Sequence, residues 1–224
     1  MRKISGFIIS VLLLVPLWCQ GQDTTRYPVN AMKGIRLGID LSKLALPLIY
    51  HNERKGVEIT VDRYVKGNFF AVVEAGWAGT DLHRDTAYHY RSNGFYGRLG
   101  IDYNLLKPRR PYSNDLLYAG FRYGISVFSH RADNVTVPGY YWPDAHAQSI
   151  PASTLHVHWI EFLLGVKAEV LKNFYIGATF SGRFRLVPPK DPYSTPYIVP
   201  GYGSGSVKFA VGLNYYIAYN IQFF

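Results

Sequence analysis

The chain has little cysteine and only one long hydrophobic run. Its 224 residues include a single cysteine, Cys19, which lies in the N-terminal region. Beyond that region no apolar run approaches the roughly 18 residues that a membrane-spanning helix needs, so any membrane crossing would have to be made by strands. The sequence therefore argues against both a disulfide framework and a helical membrane protein.

The N-terminus has the pattern of a secretory signal peptide. Arg2 and Lys3 precede an apolar run over residues 4–18, and small and polar residues follow from Gly21. We predict a signal peptide at 1–21 and a mature domain at 22–224. Lipidation of Cys19 is an alternative, although the bulky Trp18 stands where such signals carry a small residue.

Acidic residues are also few. The signal peptide would take two of the 24 basic residues, leaving 22 against 15 acidic ones, a net charge of +7. Such an excess suits an anionic surface. Because export argues against nucleic acid, we expect the partners to be outer-membrane lipid and lipopolysaccharide.

What the chain does have is alternation. Over residues 207–224 the odd positions from Val207 to Phe223 are apolar or aromatic, while the even ones include Lys208, Asn214 and Gln222. A period of two indicates a strand with two unlike faces. The 19 tyrosines, 13 phenylalanines and four tryptophans suit many strands and an interfacial aromatic belt.

Seven further segments alternate in the same way. They are 34–42, 57–64, 69–78, 95–103, 117–128, 159–170 and 174–186. Connections after the second and sixth segments are short, whereas those after the third, fifth and seventh are long, as in outer-membrane barrels. We predict an all-β fold, an eight-stranded antiparallel up-and-down transmembrane barrel with short periplasmic turns and long extracellular loops.

The polar faces of these segments carry balanced charge, seven groups of each sign. An ion shut in without a partner costs several kcal/mol, so balance favours a filled, salt-bridged lumen over an open pore. The predicted lumen network comprises Arg36, Asp40, Glu58, Asp62, Glu74, Arg98, Asp102, Arg122, Glu161, Lys167, Glu169, Arg183, Arg185 and Lys208.

The opposite orientation is the main structural alternative. A secreted lipocalin-like barrel would enclose an apolar ligand with the same apolar faces and expose the charges to water. Period two alone does not distinguish inside from outside. The aromatic terminal strand, the alternating loop lengths and the absence of disulfides favour the membrane.

Candidate catalytic and metal-binding residues are sparse. His156 and His158 share one strand face without an evident third ligand. A membrane acyl hydrolase or acyltransferase would need a serine or histidine system at the outer rim. Residues of these types occur in the loops at His83, Asp85, His89, Ser149 and Ser153. We expect no enzyme activity, no cofactor and no metal, and keep this enzyme class as an alternative.

The long loops are rich in proline and aromatic residues, which could form a stiff surface for binding. The candidate binding residues are Tyr140, Tyr141, Trp142, Tyr193, Tyr197 and Tyr202. Loops of this kind also pack on one another to cap a barrel, which leaves a surface role and a capping role both open.

Several segments carry a family resemblance. They are GIRLGIDLSKLALPL at 34–48, YGRLGIDYNLLK at 96–107, LYAGFRYGISVFSH at 117–130, LHVHWIEFLLGVKAEVLKNFYIG at 155–177 and YIVPGYG at 197–203. Together they resemble a family of uncharacterised exported proteins of Bacteroidetes-type Gram-negative bacteria. From the strand pattern we expect a small closed barrel, inserted by the barrel-assembly machinery, with an envelope-structural or surface-binding role. The resemblance implies an outer-membrane β-barrel. It implies no activity and no functional residue.

Overall fold

Eight strands of the chain close into a barrel. The computed structural model describes residues 34–50, 53–84, 88–106, 114–136, 147–189, 191 and 194–222. The predicted signal peptide and Cys19 lie outside the described residues. Within them, no helix is long and apolar enough to cross a membrane.

Within the described residues, the elements follow one another as an antiparallel meander with one helix. They are β1 (Ile35–Asp40), α1 (Leu41–Ile49), β2 (Arg54–Lys66), β3 (Phe69–Arg84), β4 (Tyr88–Asn104), β5 (Leu116–Thr136), β6 (Ala147–Leu171), β7 (Phe174–Arg185), β8 (Ile198–Val199), β9 (Gly203–Ser204) and β10 (Phe209–Ile221). The ring order is β1-β10-β7-β6-β5-β4-β3-β2, and β8 and β9 form a separate hairpin. The eight-stranded antiparallel up-and-down barrel predicted from the sequence is confirmed.

The two ends of the barrel differ. At the turn end, tight turns join β2 to β3 and β6 to β7, and each contains a residue with positive φ, Gly67 at 62° and Asn173 at 64°. Glycine and asparagine are the residues that adopt this conformation at least cost. At the opposite loop end lie α1 and the β8–β9 hairpin. The barrel strands are joined there by residues 85–87, 137–146 and 186–208, so the connection from β3 to β4 is shorter than the sequence predicted.

The strands turn their apolar faces outward and their charged faces inward. On the outer face, Leu99 is 63% exposed and Phe209 is 58% exposed, whereas Arg98 and Glu161 on the inner face are 5% and 2% exposed. A soluble carrier of an apolar ligand would show the reverse. This burial pattern contradicts the lipocalin-like orientation.

The outward apolar surface forms a belt of limited height. On β4 it runs from Phe95 to Tyr103, and the outward positions beyond Phe95 are Asn93 and Arg91. Eight residue steps of about 3.4 Å, on a strand tilted by about 40°, give a height of about 21 Å. This is close to the roughly 25 Å apolar band of outer-membrane barrels.

The strand ends differ from the sequence prediction. Strands β3 to β6 extend further toward the loop end than 69–78, 95–103, 117–128 and 159–170. The last strand is β10, Phe209–Ile221, rather than the whole of 207–224, and residues 223–224 lie outside the described residues. The strand predicted at 34–42 ends at Asp40, because the chain enters α1 there.

The switch from strand to helix has a local cause. The Asp40 carboxylate accepts hydrogen bonds from the backbone N–H groups of Ser42 at 2.8 Å and Lys43 at 3.4 Å. These are two of the donors that a helix start leaves without an intrahelical partner, and aspartate is among the best residues to satisfy them.

The outward face can be tested at the middle of the belt. We expect Leu99→Arg to lower the free energy of unfolding by about 2–4 kcal/mol, because an arginine at a bilayer midplane must be desolvated. The matched control is Val65→Arg, an outward position beside the β2–β3 turn, where the cost should be about 0–1 kcal/mol. Urea titration in liposomes, followed by tryptophan fluorescence, measures both. Equal stability of the two variants would show that this face is in water.

Candidate functional site in the barrel interior

Eleven ionisable side chains fill the middle of the lumen, and we call this set the charge layer. Its members are Arg36, Asp40, Glu58, Asp62, Glu74, Arg98, Asp102, Arg122, Glu161, Lys167 and Arg183. They stand at inward positions of seven different strands, because side chains alternate between the two faces of each strand. The layer contains six carboxylates and five cations, so it is close to neutral.

Arg98 on β4 is the centre of the charge layer. Its guanidinium pairs with Glu58 on β2, with Glu74 on β3 at 2.7 Å and with Glu161 on β6 at 3.3 Å. Arginine suits this position because its fork presents several donors in one plane. The Tyr96 hydroxyl donates to the second oxygen of Glu58 at 2.5 Å. One cation thus links its own strand, β4, to three other strands of the barrel.

Two further arginines extend this network. Arg122 pairs with Asp102 at 2.7 Å and with Glu74 at 3.5 Å. Arg183 pairs with Glu161 at 3.3 Å and donates to the Tyr202 carbonyl at 3.1 Å. Carboxylates shared between two guanidiniums leave few charged groups without a partner, which keeps the desolvation cost down.

A separate group of ions lies closer to the turn end. Asp62 accepts from Arg36 and from Lys167, each at 2.5 Å. The Arg36 guanidinium also lies 4.7 Å from the centre of the Phe70 ring and 5.5 Å from that of Tyr175. This end of the lumen is therefore held by ion pairs and by cation–π contacts together.

Little space is left in the charge layer. The cavity between its members is about 40 Å³, enough for a few water molecules and too small for a continuous channel. Close packing depends on glycine: a Cβ on Gly100 would stand 2.7 Å from Arg122 Cδ, and one on Gly120 would overlap Asp102 Oδ1. The middle of the barrel is a packed polar core.

Above the charge layer the chain fills its own lumen. Residues 196–205, which include the β8–β9 hairpin, fold inward, and we call them the plug. Val199 and Tyr202 are buried against an apolar cluster made of Tyr96, Phe128, Leu155, Val157 and Trp159. Gly201 has a φ of +75°, and a Cβ there would overlap the Tyr96 ring. The plug closes the loop-end half of the barrel.

Most residues predicted for the lumen network do lie in the lumen. Ten are buried at inward positions, and the Glu74 side chain is 14% exposed. Arg185 is half-buried and donates to the Gly205 carbonyl of the plug. Glu169 is half-buried at the turn end, where it accepts from the Asn173 N–H at 2.7 Å.

The prediction for Lys208 is wrong. This residue is exposed, and its ammonium lies 4.9 Å from the centre of the Phe184 ring. Lys208 precedes the first residue of β10, and although its carbonyl still accepts from the Arg185 N–H at 3.0 Å, its side chain turns to the outward Phe184.

Among the predicted binding aromatics, Tyr197 is 48% exposed, in keeping with a surface position. Tyr202 is fully buried in the plug, so its assignment to a surface is wrong. Tyr140, Tyr141, Trp142 and Tyr193 lie outside the described residues. For Tyr202, the alternative that such loops cap the barrel is the correct one.

The candidate metal and catalytic residues do not assemble into a site. His156 and His158 face outward, and His158 Nδ1 lies 2.7 Å from the Tyr123 hydroxyl. Within the described ranges no three His, Cys, Asp or Glu residues are grouped as metal ligands. His83 and His89 are in edge-on ring contact, Ser149 is exposed, and Asp85 lies outside the described residues.

One serine does meet a histidine and an aspartate. Ser153 Oγ lies 3.1 Å from His130 Nε2 and 3.1 Å from Asp191 Oδ2, and the same two atoms of His130 and Asp191 are 2.7 Å apart. In a catalytic triad the carboxylate binds the imidazole nitrogen that is remote from the serine. Here serine and aspartate share one nitrogen, so the contact is a clamp between β5, β6 and the chain leading to the plug.

Sequence reasoning missed the uncharged partners of the ions. The Asn214 side chain donates to Asp40, and the hydroxyls of Tyr118 and Tyr216 lie 2.6 Å apart in the lumen. The sequence did contain a signal for them, because Asn214 and Tyr216 stand at even positions, on the polar face of the last strand, which was predicted to face the lumen.

The charge layer can be tested at Arg98. We expect Arg98→Met to lower the free energy of unfolding by about 3–5 kcal/mol, because three buried carboxylates lose their shared cation. Arg91→Met, at an arginine half in solvent, is the control and should change stability by less than about 0.5 kcal/mol. Urea unfolding of both variants measures this, and adding Glu161→Gln to Arg98→Met should restore part of the loss. A cost no larger than that of Arg91→Met would contradict the network.

Several solved structures align with most of this chain at low sequence identity. Ail, the attachment invasion locus protein of Yersinia pestis, aligns with a TM-score of 0.43 and 8% identity. A major outer membrane protein from Thermus thermophilus gives 0.47 and 12%, and the N-terminal β-barrel domain of Pseudomonas aeruginosa OprF gives 0.35 and 8%. Each alignment covers 84% of this chain and 98% of the other. All three TM-scores are below 0.5, and the barrel is assigned from the register and burial of this chain alone.

No curated protein matches the sequence. A family model does: the one described as a domain of unknown function, DUF6048, matches residues 4–224. The chain therefore belongs to the DUF6048 family.

Proposed function

We propose that this chain is an outer-membrane β-barrel whose lumen is closed by its own side chains and by the plug. The observation that carries the proposal is that burial is the reverse of that in a water-soluble protein: the apolar belt is on the outside and the charge layer is on the inside. In hydrocarbon every backbone polar group must be satisfied within the protein, and a closed barrel does this with strands. By the habit of such barrels, the turn end faces the periplasm and the loop end faces the cell exterior.

The proposed role is structural and surface-presenting. The charge layer and the plug together leave no continuous passage in the described lumen, which favours an envelope protein over a porin. Export by the signal peptide, insertion by the barrel-assembly machinery and contact with outer-membrane lipid and lipopolysaccharide belong to this proposal. Tyr197 is the described candidate for contact with a surface ligand.

A non-enzymatic role is part of the same proposal. Ser153 and His130 are the best placed of the described residues for acyl transfer, and their arrangement with Asp191 is not that of a triad. Purified protein in detergent micelles should therefore release no fatty acid from bacterial lipids.

Membrane location can be tested directly. We expect the native protein in the outer-membrane fraction, with faster electrophoretic migration before boiling than after, because a closed barrel resists detergent until heated. The same gel run on Leu99→Arg protein should show a smaller folded band. Recovery of wild-type protein in a detergent-free soluble fraction would contradict the proposal.

The closed lumen predicts an absence of conductance. Protein reconstituted in a planar bilayer should give no current steps, with a porin in the same lipid as positive control. The double variant Trp159→Ala with Tyr202→Ala removes the main packing contact of the plug, whose ring centres lie 5.8 Å apart. It should also stay silent, because the charge layer still closes the lumen. Regular current steps from wild-type protein would exclude a closed barrel.

A further inference from the structure

The barrel wall is incomplete toward the loop end. Strand β1 has six residues, and it pairs with β10 only over Tyr216–Ile221 and with β2 only over Ile59–Arg63. Beyond those residues β2 pairs only with β3, and β10 pairs only with β7. Two strand edges, residues 54–58 and 209–215, therefore face each other across a gap that we call the window.

Helix α1 occupies the window. It contacts both β2 and β10 and follows β1 directly. Two strands on either side of a missing third are about 10 Å apart, and a helix with its side chains is about 10–12 Å across. The helix therefore fits the space of the absent strand, but its own backbone hydrogen bonds run along its axis and do not complete the ladder of the wall.

The helix is a weakly held cover. None of its residues is fully buried, and Leu44, Leu48 and Ile49 are 49%, 85% and 63% exposed. Pro47 lies inside it and has no N–H to donate to the preceding turn. At nine residues the helix is also shorter than the roughly 12–15 at which isolated helices become marginally stable. Exposed leucines on a short helix in the wall suit contact with acyl chains.

A cavity of about 240 Å³ lies beside this cover. Lys43 and Leu46 of α1 line it, together with Arg54, Tyr96 and residues of the plug. It is about six times the volume of the cavity in the charge layer. A phosphate or carboxylate group with several carbons attached would fit this volume.

The charge of this cavity is one-sided. Lys43, Arg54, Lys55 and Arg183 line it, and no carboxylate does so among the described residues. Arg183 is paired with Glu161, whereas Arg54 and Lys55 have no carboxylate within 4 Å in the part of the chain that the structure describes. Arg54 Nε is buried without a hydrogen-bond partner there, and its guanidinium lies 4.3 Å from the Tyr50 ring centre. Arg54 is therefore available to an anion in the cavity, and Lys55, exposed on the outward face beside it, is available at the edge of the window.

We propose that this cavity binds the anionic group, phosphate or carboxylate, of an acyl-chain amphiphile that enters through the window from the outer leaflet. The inference rests on the membrane position proposed above. Arg54, at an inward position of β2, holds the anionic group, and Lys55, at the next and outward position, adds positive charge at the edge of the window. The acyl chain stays in the membrane along Leu44 and Leu48. Guanidinium and ammonium groups supply strong charge-assisted hydrogen bonds to such oxygens. Movement of the C-terminal end of α1 opens the window, while the Asp40 cap holds the first turn of the helix in place.

Dodecyl phosphate is a suitable probe. The full-length protein, purified in dodecyl maltoside, is titrated with dodecyl phosphate, and the bound amphiphile is counted by native mass spectrometry. Inorganic phosphate supplies the head without the chain, and the maltoside itself supplies the chain without the charge. Only samples that migrate as folded before boiling are used, so that a failure of binding is separable from a failure of the barrel.

Three variants locate the site. Arg54→Gln combined with Lys55→Gln removes two charged donors outside the charge layer and should weaken binding by about tenfold or more. Leu46→Trp fills the cavity, leaves every charge in place and should weaken binding similarly. Arg91→Gln, at an exposed arginine on the outer surface of β4, is the matched control and should bind as the wild type does.

The expected result is one bound dodecyl phosphate that both cavity variants lose and that Arg91→Gln keeps. Equal binding by wild type and both cavity variants would overturn the site, because the amphiphile would then bind only through the micelle or the general surface. Inorganic phosphate that binds as tightly as dodecyl phosphate would overturn entry from the membrane, because the chain would then contribute nothing. Folded protein that binds neither probe would also overturn the inference, while leaving the barrel proposal intact.

Discussion

Charge pairing inside a closed wall is the constraint on which the rest of the structure depends. Once the strands form a ring, inward side chains share a space with room for only a few waters, and any ion there needs a partner within reach. Arg98 meets carboxylates from β2, β3 and β6, and Asp62 meets cations from β1 and β6. Several of these pairs connect strands that are not neighbours in the wall. The interactions that stabilise the charged interior therefore also leave little open space in it.

The fold could be predicted because the two faces of each strand differ over the height of the belt. Where that difference ends, prediction failed: outward positions of β3 beyond Trp77 are Gly79, Asp81 and His83, while the inward face carries the apolar residues Ala78 and Leu82, so the outward face is no longer the apolar one. The strand nevertheless continues, because backbone pairing does not require an apolar face. Helix α1 was missed since the alternation over 34–42 runs into it without a break. Its signals were the Asp40 cap and the spacing of Leu41, Leu44 and Leu48.

For the candidate site, the sequence predicted on which strand face each ion lies, but it did not predict which residue each ion contacts. Parity placed Arg98 and Glu161 on the polar side, but the two are 63 residues apart, and their contact depends on the stagger between strands that are not adjacent. Tyr202 shows a different limit. It was assigned to a surface because aromatic loops are usually exposed, whereas positive φ angles at Gly201 and Gly203 direct this loop back into the lumen. Glycine permits such a turn without showing in the sequence that it is used.

The window is the place where the chain departs from the rules that it follows elsewhere. Everywhere else in the described wall, the strands pair with a neighbour on both sides over the height of the belt. The inward ions of the charge layer are paired with opposite charges, apart from Asp40, which accepts hydrogen bonds from Asn214 and Ser42. At the window two edges lack a neighbouring strand, and the adjoining cavity carries cations without carboxylates. Unpaired backbone in contact with hydrocarbon is costly, so one more strand-length of β1 would be the more stable solution. Departures of this kind are expected at functional sites, where stability is given up for binding. The helix and the adjoining cavity, more than the charge layer, are therefore where we propose that this barrel binds a ligand.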